Sequence, residues 1–166
     1  MREGRRPIGG TVAGLSYLGS ALNAVDAKSR VSVPPSFREI VAARSTERDL
    51  LVGKSSFDDC LIAYDPSFID SLRTEIEARF GPVASREKAA AARRAYGSAI
   101  PLKIDDAHRL TLTAGLKEAG GIDRLAFFVG MDAYFEIWDP ATYLALPDAD
   151  ALLSGDLKRA LARLAA

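Results

Sequence analysis

The chain repeats itself once, and this internal repeat constrains its fold more than any other feature. Residues 26–39 align with residues 105–118 at an offset of 79, with three identical and five conservatively replaced positions among fourteen. A second match pairs residues 61–66 with residues 135–140 at an offset of 74, so the first copy holds about five extra residues in its middle. Because such a repeat builds one supersecondary unit twice, we expect two related halves with a shared architecture.

Each copy contains the pattern of two hairpins around a short helix. The segment Asp26–Arg30 is a polar turn, and the residues after it alternate apolar with polar side chains, as a half-buried strand of a hairpin does. A proline start with Ser36 as the capping serine predicts the short helix. Two apolar runs separated by turn residues predict the second hairpin. Asp65 and Asp139 each precede a proline and are predicted to cap further helices.

These patterns divide the chain into five segments. They are a flexible basic N-terminal extension (1–15), the first repeat (16–66), a helical connector (67–96), the second repeat (97–140) and a C-terminal helical segment (141–166). The extension contains Arg2, Arg5 and Arg6, for which a flexible tail is favoured over an arm directed at DNA. Leucines at helical spacing in the last segment predict a helix that packs on this chain or on a neighbouring subunit.

Composition and charge exclude several classes of protein. A hydrophobic content of 48% and a charged content of 27% are typical of a soluble globular protein, and the apolar runs fall well short of the ~20 residues of a membrane span. We therefore expect a cytoplasmic protein with no membrane partner. One cysteine, Cys60, and one histidine, His108, can form neither an intrachain disulfide nor a structural zinc site, so no metal or cofactor is expected. The 22 basic and 22 acidic residues cancel, so nucleic-acid binding would require local clusters of cations.

An Asp-x-x-x-Arg motif stands at the first hairpin tip of both copies, as Asp26–Arg30 and as Asp105–Arg109. With the segments Asp59–Pro66 and Phe135–Trp138, these motifs make the chain resemble the MraZ family of bacterial regulators, within the wider AbrB-like swapped-hairpin group. The resemblance runs from about Leu18 to Leu146. It implies an α+β, mainly β fold, in which two tandem swapped-hairpin β-barrel repeats form one pseudo-two-fold unit with peripheral helices.

The resemblance also implies a function. Members of the family join into ring-like homo-oligomers and bind repeated promoter sites upstream of the division and cell wall gene cluster, usually as repressors. The expected partners are therefore double-stranded DNA and further copies of the chain, in the cytoplasm and associated with the nucleoid. We expect each subunit to bind weakly and the oligomer to gain affinity by engaging several DNA repeats at once.

By this resemblance both motif loops face DNA. Lys28 and Arg30 of the first loop can contact phosphates and guanine edges, and Arg109 is the equivalent in the second loop. His108 can donate to a phosphate, and Lys103 is expected to assist from the end of the preceding strand. These five residues are the predicted DNA contacts.

The remaining loop residues are expected to support the contacts or weaken them. Asp26 and Asp105 are predicted to accept backbone N–H groups and so hold each loop and its arginine in place. The family usually has glycine before the motif arginine, where Ser29 and His108 stand in this chain. Asp106 adds negative charge to the second loop, which we therefore expect to bind DNA more weakly than the first.

Three rival interpretations remain open at this level. Asp105, Asp106 and His108 resemble an acid/base cluster, but the first copy lacks it and no convincing nucleophile accompanies the histidine, so we expect no enzyme and no small-molecule substrate. An AbrB-like antitoxin, or a regulator of another operon, would use the same fold. A ring-forming scaffold that binds proteins, with no DNA target, would differ because promoter binding would be absent.

Overall fold

The computed structural model describes residues 15–45 and 49–166, so Arg2, Arg5 and Arg6 of the predicted basic extension lie outside the described residues. The strands are β1 (Ser20–Ala24), β2 (Arg30–Ser32), β3 (Asp49–Lys54), β4 (Leu61–Tyr64), β5 (Ile100–Lys103), β6 (Arg109–Thr111), β7 (Leu125–Met131) and β8 (Tyr134–Trp138). The α-helices are α1 (Pro35–Arg44), α2 (Ile69–Phe80), α3 (Arg86–Ala92), α4 (Ala114–Gly120), α5 (Pro140–Leu144) and α6 (Ala151–Ala165). A 3₁₀ turn (Pro66–Phe68) precedes α2, and a π-helical turn (Arg93–Gly97) follows α3.

Six strands form one antiparallel sheet in the order β1-β7-β8-β4-β3-β5, and β2 pairs with β6 in a separate antiparallel ribbon. Strands β1–β4 come from the first copy and β5–β8 from the second. The first strand of each copy therefore lies beside a strand of the other copy, β1 with β7 and β5 with β3. This exchange confirms the predicted α+β, mainly β fold with tandem swapped hairpins.

The two copies are related by a pseudo-two-fold axis. In the ladder between β4 and β8 the central pair is Ile62 with Glu136, which are equivalent positions at the offset of 74. In the ribbon the central pair is Val31 with Leu110, equivalent at the offset of 79. Equivalent residues can pair with each other in this way only if a rotation of about 180° relates the two halves.

Two local predictions need correction. The two strands predicted to form the first hairpin pair with each other only at the bridge between Val25 and Val31. Away from this bridge, β1 pairs within the large sheet and β2 pairs within the ribbon. Helix α1 has Pro34 at its N-cap position with no side-chain cap, and Ser36 lies inside its first turn. The helix begins at Pro35, two residues earlier than a cap at Ser36 would place it, and the fixed φ of Pro35 suits this first helical position.

The main hydrophobic core lies between the inner face of the sheet, the ribbon, α1 and α4. Val31 and Leu110 point inward from the ribbon and are fully buried. A second cluster covers the outer face of the sheet beneath α5 and α6, and it includes Trp138 and Leu157. Packing of Val31 and Leu110 in the main core stabilises the ribbon, although the ribbon has only three residue pairs.

The beginning of the described chain is inserted into this core. Tyr17 is fully buried, and its backbone pairs with Asp132 through N–H···O contacts of 2.8 and 3.1 Å. The N–H of Gly130 donates to the carbonyl of Gly19 at 2.8 Å. A Cβ atom at Gly130 would lie 2.4 Å from the Tyr17 carbonyl oxygen, so the two backbones meet where only glycine fits.

A buried ion pair joins this segment to α1. The Tyr17 hydroxyl donates to Asp65 Oδ2 at 3.1 Å, and Arg44 Nη1 donates to the same oxygen at 3.3 Å. The Arg44 guanidinium also lies over the Tyr17 ring, 5.3 Å from its centroid. Burial, followed by the nearby Asp65 charge, raises the pKa of the Tyr17 hydroxyl, which therefore remains a proton donor.

Asp65 and Asp139 both cap the helical turns that follow them, as predicted. The Asp65 carboxylate accepts from the N–H of Ser67 at 3.1 Å, and the Asp139 carboxylate accepts from the N–H of Thr142 at 2.9 Å. In the part of the chain that the structure describes, none of the helices combines the length and the apolar composition needed to cross a membrane.

Candidate nucleic-acid interface

The ribbon presents the two motif arginines on one face. Its register pairs Arg30 with Thr111 and Ser32 with Arg109. Because side chains alternate across a strand and Val31 is buried, these four residues share the outer face. The two arginines are diagonal neighbours across the antiparallel pair, a relation that places Cα atoms about 7–8 Å apart. The sequence pattern had suggested two similar tips, and the structure brings their arginines to a single surface.

The carboxylate of Asp26 organises the first loop. Its Oδ1 accepts from the backbone N–H groups of Lys28 and Arg30, both at 2.9 Å, and its Oδ2 accepts from Arg30 Nε at 2.7 Å. The Asp26 N–H in turn donates to the Arg30 carbonyl at 2.9 Å. One aspartate thereby holds both the turn and the direction of the arginine side chain.

The second loop repeats this arrangement bond for bond. Oδ1 of Asp105 accepts from the N–H groups of Ala107 at 2.9 Å and Arg109 at 2.8 Å. Oδ2 of Asp105 accepts from Arg109 Nε at 3.2 Å. The two loops therefore differ in side chains, but their hydrogen-bonded frameworks are the same.

Both loops have a left-handed residue immediately before the motif arginine. Ser29 has a φ of 62° and His108 a φ of 65°, in the region where a residue other than glycine costs about 1–2 kcal/mol. Each of these residues is held by the other copy, because the Ser29 carbonyl accepts from Leu112 N–H at 2.8 Å and the His108 carbonyl accepts from Val33 N–H at 3.0 Å. The backbone conformation expected of glycine is thus kept without glycine.

The arginine side chains are partly exposed and oriented. Their exposed fractions are 29% for Arg30 and 32% for Arg109. Each guanidinium uses Nε to contact its aspartate, and within residues 15–45 and 49–166 no hydrogen bond is recorded from its terminal nitrogens. A planar fork held by one edge, with the other edge open, is suited to two parallel hydrogen bonds to a phosphate or a guanine.

The loop carboxylates are ionised over a wide pH range. The backbone N–H of Arg30 is the main reason that the pKa of Asp26 lies below its ordinary value, and the Arg30 side chain adds to the effect. The backbone N–H of Arg109 lowers the pKa of Asp105 in the same way. Because these pKa values are lower in the folded state, the turns gain stability above the ordinary carboxyl pKa and lose it as the pH falls through the lowered value.

We expect the pKa of Asp26 to stay below its ordinary value in the variant Arg30→Ala. The backbone N–H of residue 30 remains in that variant, and it is the largest cause of the shift. A carboxyl carbon titration by NMR would measure it. A return to the ordinary value of about 3.9 would mean that the side chain, and not the turn, lowers the pKa. The same titration shows whether the loop is still folded when the arginine is removed.

Of the other three predicted DNA contacts, two lie in the motif loops and one lies on a strand of the large sheet. Lys28 and His108 are exposed in their loops. Lys103 lies on β5, at the edge of the large sheet, with its Nζ 3.9 Å from Asp49 Oδ1. The structure therefore brings Arg30 and Arg109 together on the ribbon, whereas Lys103 belongs to a neighbouring element.

Two further cations lie beside the loops and were not among the predicted contacts. Lys117 on α4 places its Nζ 3.4 Å from Ser29 Oγ, next to the first loop. Arg38 on α1 lines a recess that His108 of the second loop also lines. The sequence feature that could have pointed to these two cations is the alignment of the repeats, which matches Arg38 with Lys117 as a conservative pair.

Comparison with known proteins identifies similar sequences. A family model described as "MraZ protein, putative antitoxin-like" matches residues 95–164. A protein named "Transcriptional regulator MraZ" from Rickettsia felis is 34% identical over 127 residues, which cover 76% of this chain and 83% of the relative. Proteins of the same name from Ruegeria pomeroyi and Azotobacter vinelandii are 31% and 29% identical, covering 76% and 81% of this chain and 79% and 86% of those relatives.

Proposed function

The chain belongs to the MraZ family, and we propose that it is a DNA-binding transcriptional regulator that contacts operator DNA with the outer face of the β2–β6 ribbon and its two Asp-x-x-x-Arg loops. The observation that carries this proposal is the ribbon register, which puts Arg30 and Arg109 on one exposed face. The name "Transcriptional regulator MraZ" of the relative from Rickettsia felis supports a role in transcription.

The chemistry of the face supports DNA as the ligand. Arginine recognises guanine through two hydrogen bonds in the major groove, which is wide enough for a two-stranded β-ribbon. The pseudo-two-fold axis relates Arg30 to Arg109, so the face offers equivalent contacts to two equivalent halves of a DNA site. Asp26 and Asp105 hold these arginines in place before DNA binds, which reduces the entropy lost on binding.

The charge of the chain supports binding by an assembly. Net charge is zero, and each loop carries few cations, so one subunit would bind DNA weakly. We propose that a ring-like homo-oligomer engages repeated promoter sites of the division and cell wall gene cluster and represses it, with affinity multiplied by the number of loops that bind together. Exposed Asp106 in the second loop favours a smaller contribution from that loop.

The test is a mobility-shift titration with the DNA upstream of the protein's own gene and with a shuffled duplex of equal length. We expect Arg30→Ala and Arg109→Ala each to weaken operator binding by about 5- to 150-fold for every bound subunit, because a two-bond contact of arginine with guanine is worth about 1–3 kcal/mol. The loss should be larger for Arg30→Ala, and the preference for the operator over the shuffled duplex should fall in both variants.

A matched control removes a cation that lies elsewhere. Arg73 on α2 forms an exposed ion pair with Asp70 at 2.8 Å, and Arg73→Ala should bind the operator as the wild type does. Wild-type affinity in both loop variants would contradict the proposal and would favour a protein-binding scaffold.

A further inference from the structure

A recess lies between α1 of the first copy and the second loop. Arg38, Val41 and Ala42 of α1 line one side, and Ile104 and His108 line the other. The exchange of strands brings α1 to the loop of the opposite copy. The Arg38 side chain therefore stands beside the loop that carries Arg109, 71 positions further along the chain.

The equivalent position in the second copy has the same relation to the first loop. Lys117 on α4 corresponds to Arg38 at the offset of 79, and its Nζ lies 3.4 Å from Ser29 Oγ. Each loop is thus flanked by one cation from the helix of the other copy. The Lys117–Ser29 contact at the first loop and the recess shared by Arg38 and His108 at the second loop fit the same pseudo-symmetric arrangement.

The positive charge of Arg38 has no carboxylate partner among the described residues. Its Nε is buried without a hydrogen-bond partner in that part of the chain, although Glu39 lines the same recess. Arg30 and Arg109 differ, because each forms an ion pair with its loop aspartate. A guanidinium whose charge is not balanced inside the protein is available to an anion that arrives from outside.

We propose that Arg38 and Lys117 bind DNA phosphates and complete the contact surface of the loop from the opposite copy. This inference rests on the proposed function and deepens it. Arg30 and Arg109 read base edges, whereas Arg38 and Lys117 bind the backbone on either side of them and contribute no sequence preference. Arg38 also supplies to the second loop the positive charge that Asp106 offsets.

The experiment measures operator affinity against salt concentration for the wild type, Arg38→Met and Lys117→Met. Methionine keeps an apolar stem of similar length and removes the charge. Each variant should lower the steepness of log affinity against log salt by about 0.9 for every subunit bound to the DNA, which corresponds to about 8-fold weaker binding per bound subunit at 0.1 M salt. Operator and shuffled duplexes should weaken equally, and Arg38→Lys should restore the wild-type slope.

Controls separate this role from a structural one. Arg73→Met should leave the slope unchanged, because Arg73 lies in an exposed ion pair on α2. The melting temperature of Arg38→Met should equal or exceed that of the wild type, since the variant removes a buried N–H without a recorded partner. Lys117→Met tests the same claim at the other loop, so the outcome does not depend on the folding of one variant.

The possible results distinguish the two proposals. Unchanged salt slopes in both methionine variants, with operator preference still lost in Arg30→Ala, would overturn the phosphate role and leave the proposed function standing. A wild-type protein that shows no salt-dependent preference for the operator would overturn the proposed function itself. Slopes lowered equally on both duplexes, with preference retained, would support the composite contact surface.

Discussion

Replacing Gly130 by alanine is expected to lower the free energy of unfolding by about 3–5 kcal/mol. The added Cβ would lie 2.4 Å from the carbonyl oxygen of Tyr17, 2.6 Å from its carbonyl carbon and 2.8 Å from the backbone nitrogen of Leu18. All three are backbone atoms and cannot rotate away. The segment must therefore move, and with it the fully buried Tyr17 side chain leaves the core.

Chemical denaturation followed by circular dichroism would measure this loss. Gly115 in α4 provides a matched control, because a Cβ atom there would meet nothing within 4 Å. Gly115→Ala should be neutral or stabilising by up to about 1 kcal/mol, since alanine is the better helix former. A change of less than about 1 kcal/mol in Gly130→Ala would show that the Tyr17 segment can move without cost.

The second large effect is expected for Asp65→Ala, with a loss of about 3–5 kcal/mol. The Asp65 carboxylate is fully buried and accepts from both Tyr17 and Arg44. Its removal leaves the Arg44 guanidinium, which is only 18% exposed, without its carboxylate. It also leaves the Tyr17 hydroxyl buried without its acceptor. Removing one partner of such a pair costs more than the pair contributes.

The internal repeat supplies the control for this prediction. Asp139 occupies the equivalent position and caps α5 through Thr142, but its recorded contacts in the described chain are those of a cap alone. Asp139→Ala should therefore lose about 1 kcal/mol. The two variants delete the same group at equivalent sites, so similar unfolding free energies would show that the Asp65 ion pair contributes little beyond capping.

The second hairpin of each copy could be predicted from the local sequence pattern, whereas the strand exchange was expected only from the family resemblance. In β3–β4 and β7–β8 the partner strand is the next one along the chain, and alternating apolar residues with a turn between them are sufficient evidence. Alternation around Val31 shows which face of the strand is buried, but it carries no information about the partner strand. The pairing of β2 with β6 became evident only in three dimensions.

In the candidate site, too, some residues follow from the local sequence pattern and others depend on how the two halves pack. Arg30 and Arg109 were proposed from the sequence because a short motif occurs twice in matched surroundings. The sequence pattern gave no reason to propose Arg38 and Lys117, because each lies in a helix whose own loop is not the one it flanks. Lys103 is close to Asp105 in the chain, yet its strand belongs to the large sheet. Proximity along the chain is a poor guide to a surface that two exchanged halves build together.

The hydrogen bonds from Leu112 to Ser29 and from Val33 to His108 make each loop depend on the opposite half. In a protein assembled from two separate chains, such a reciprocal arrangement would fall apart on dilution, because its formation would depend on concentration. Here a single polypeptide supplies both halves. The ribbon and its two loops should therefore stay together at any protein concentration, and dilution would dissociate only the proposed contacts between subunits.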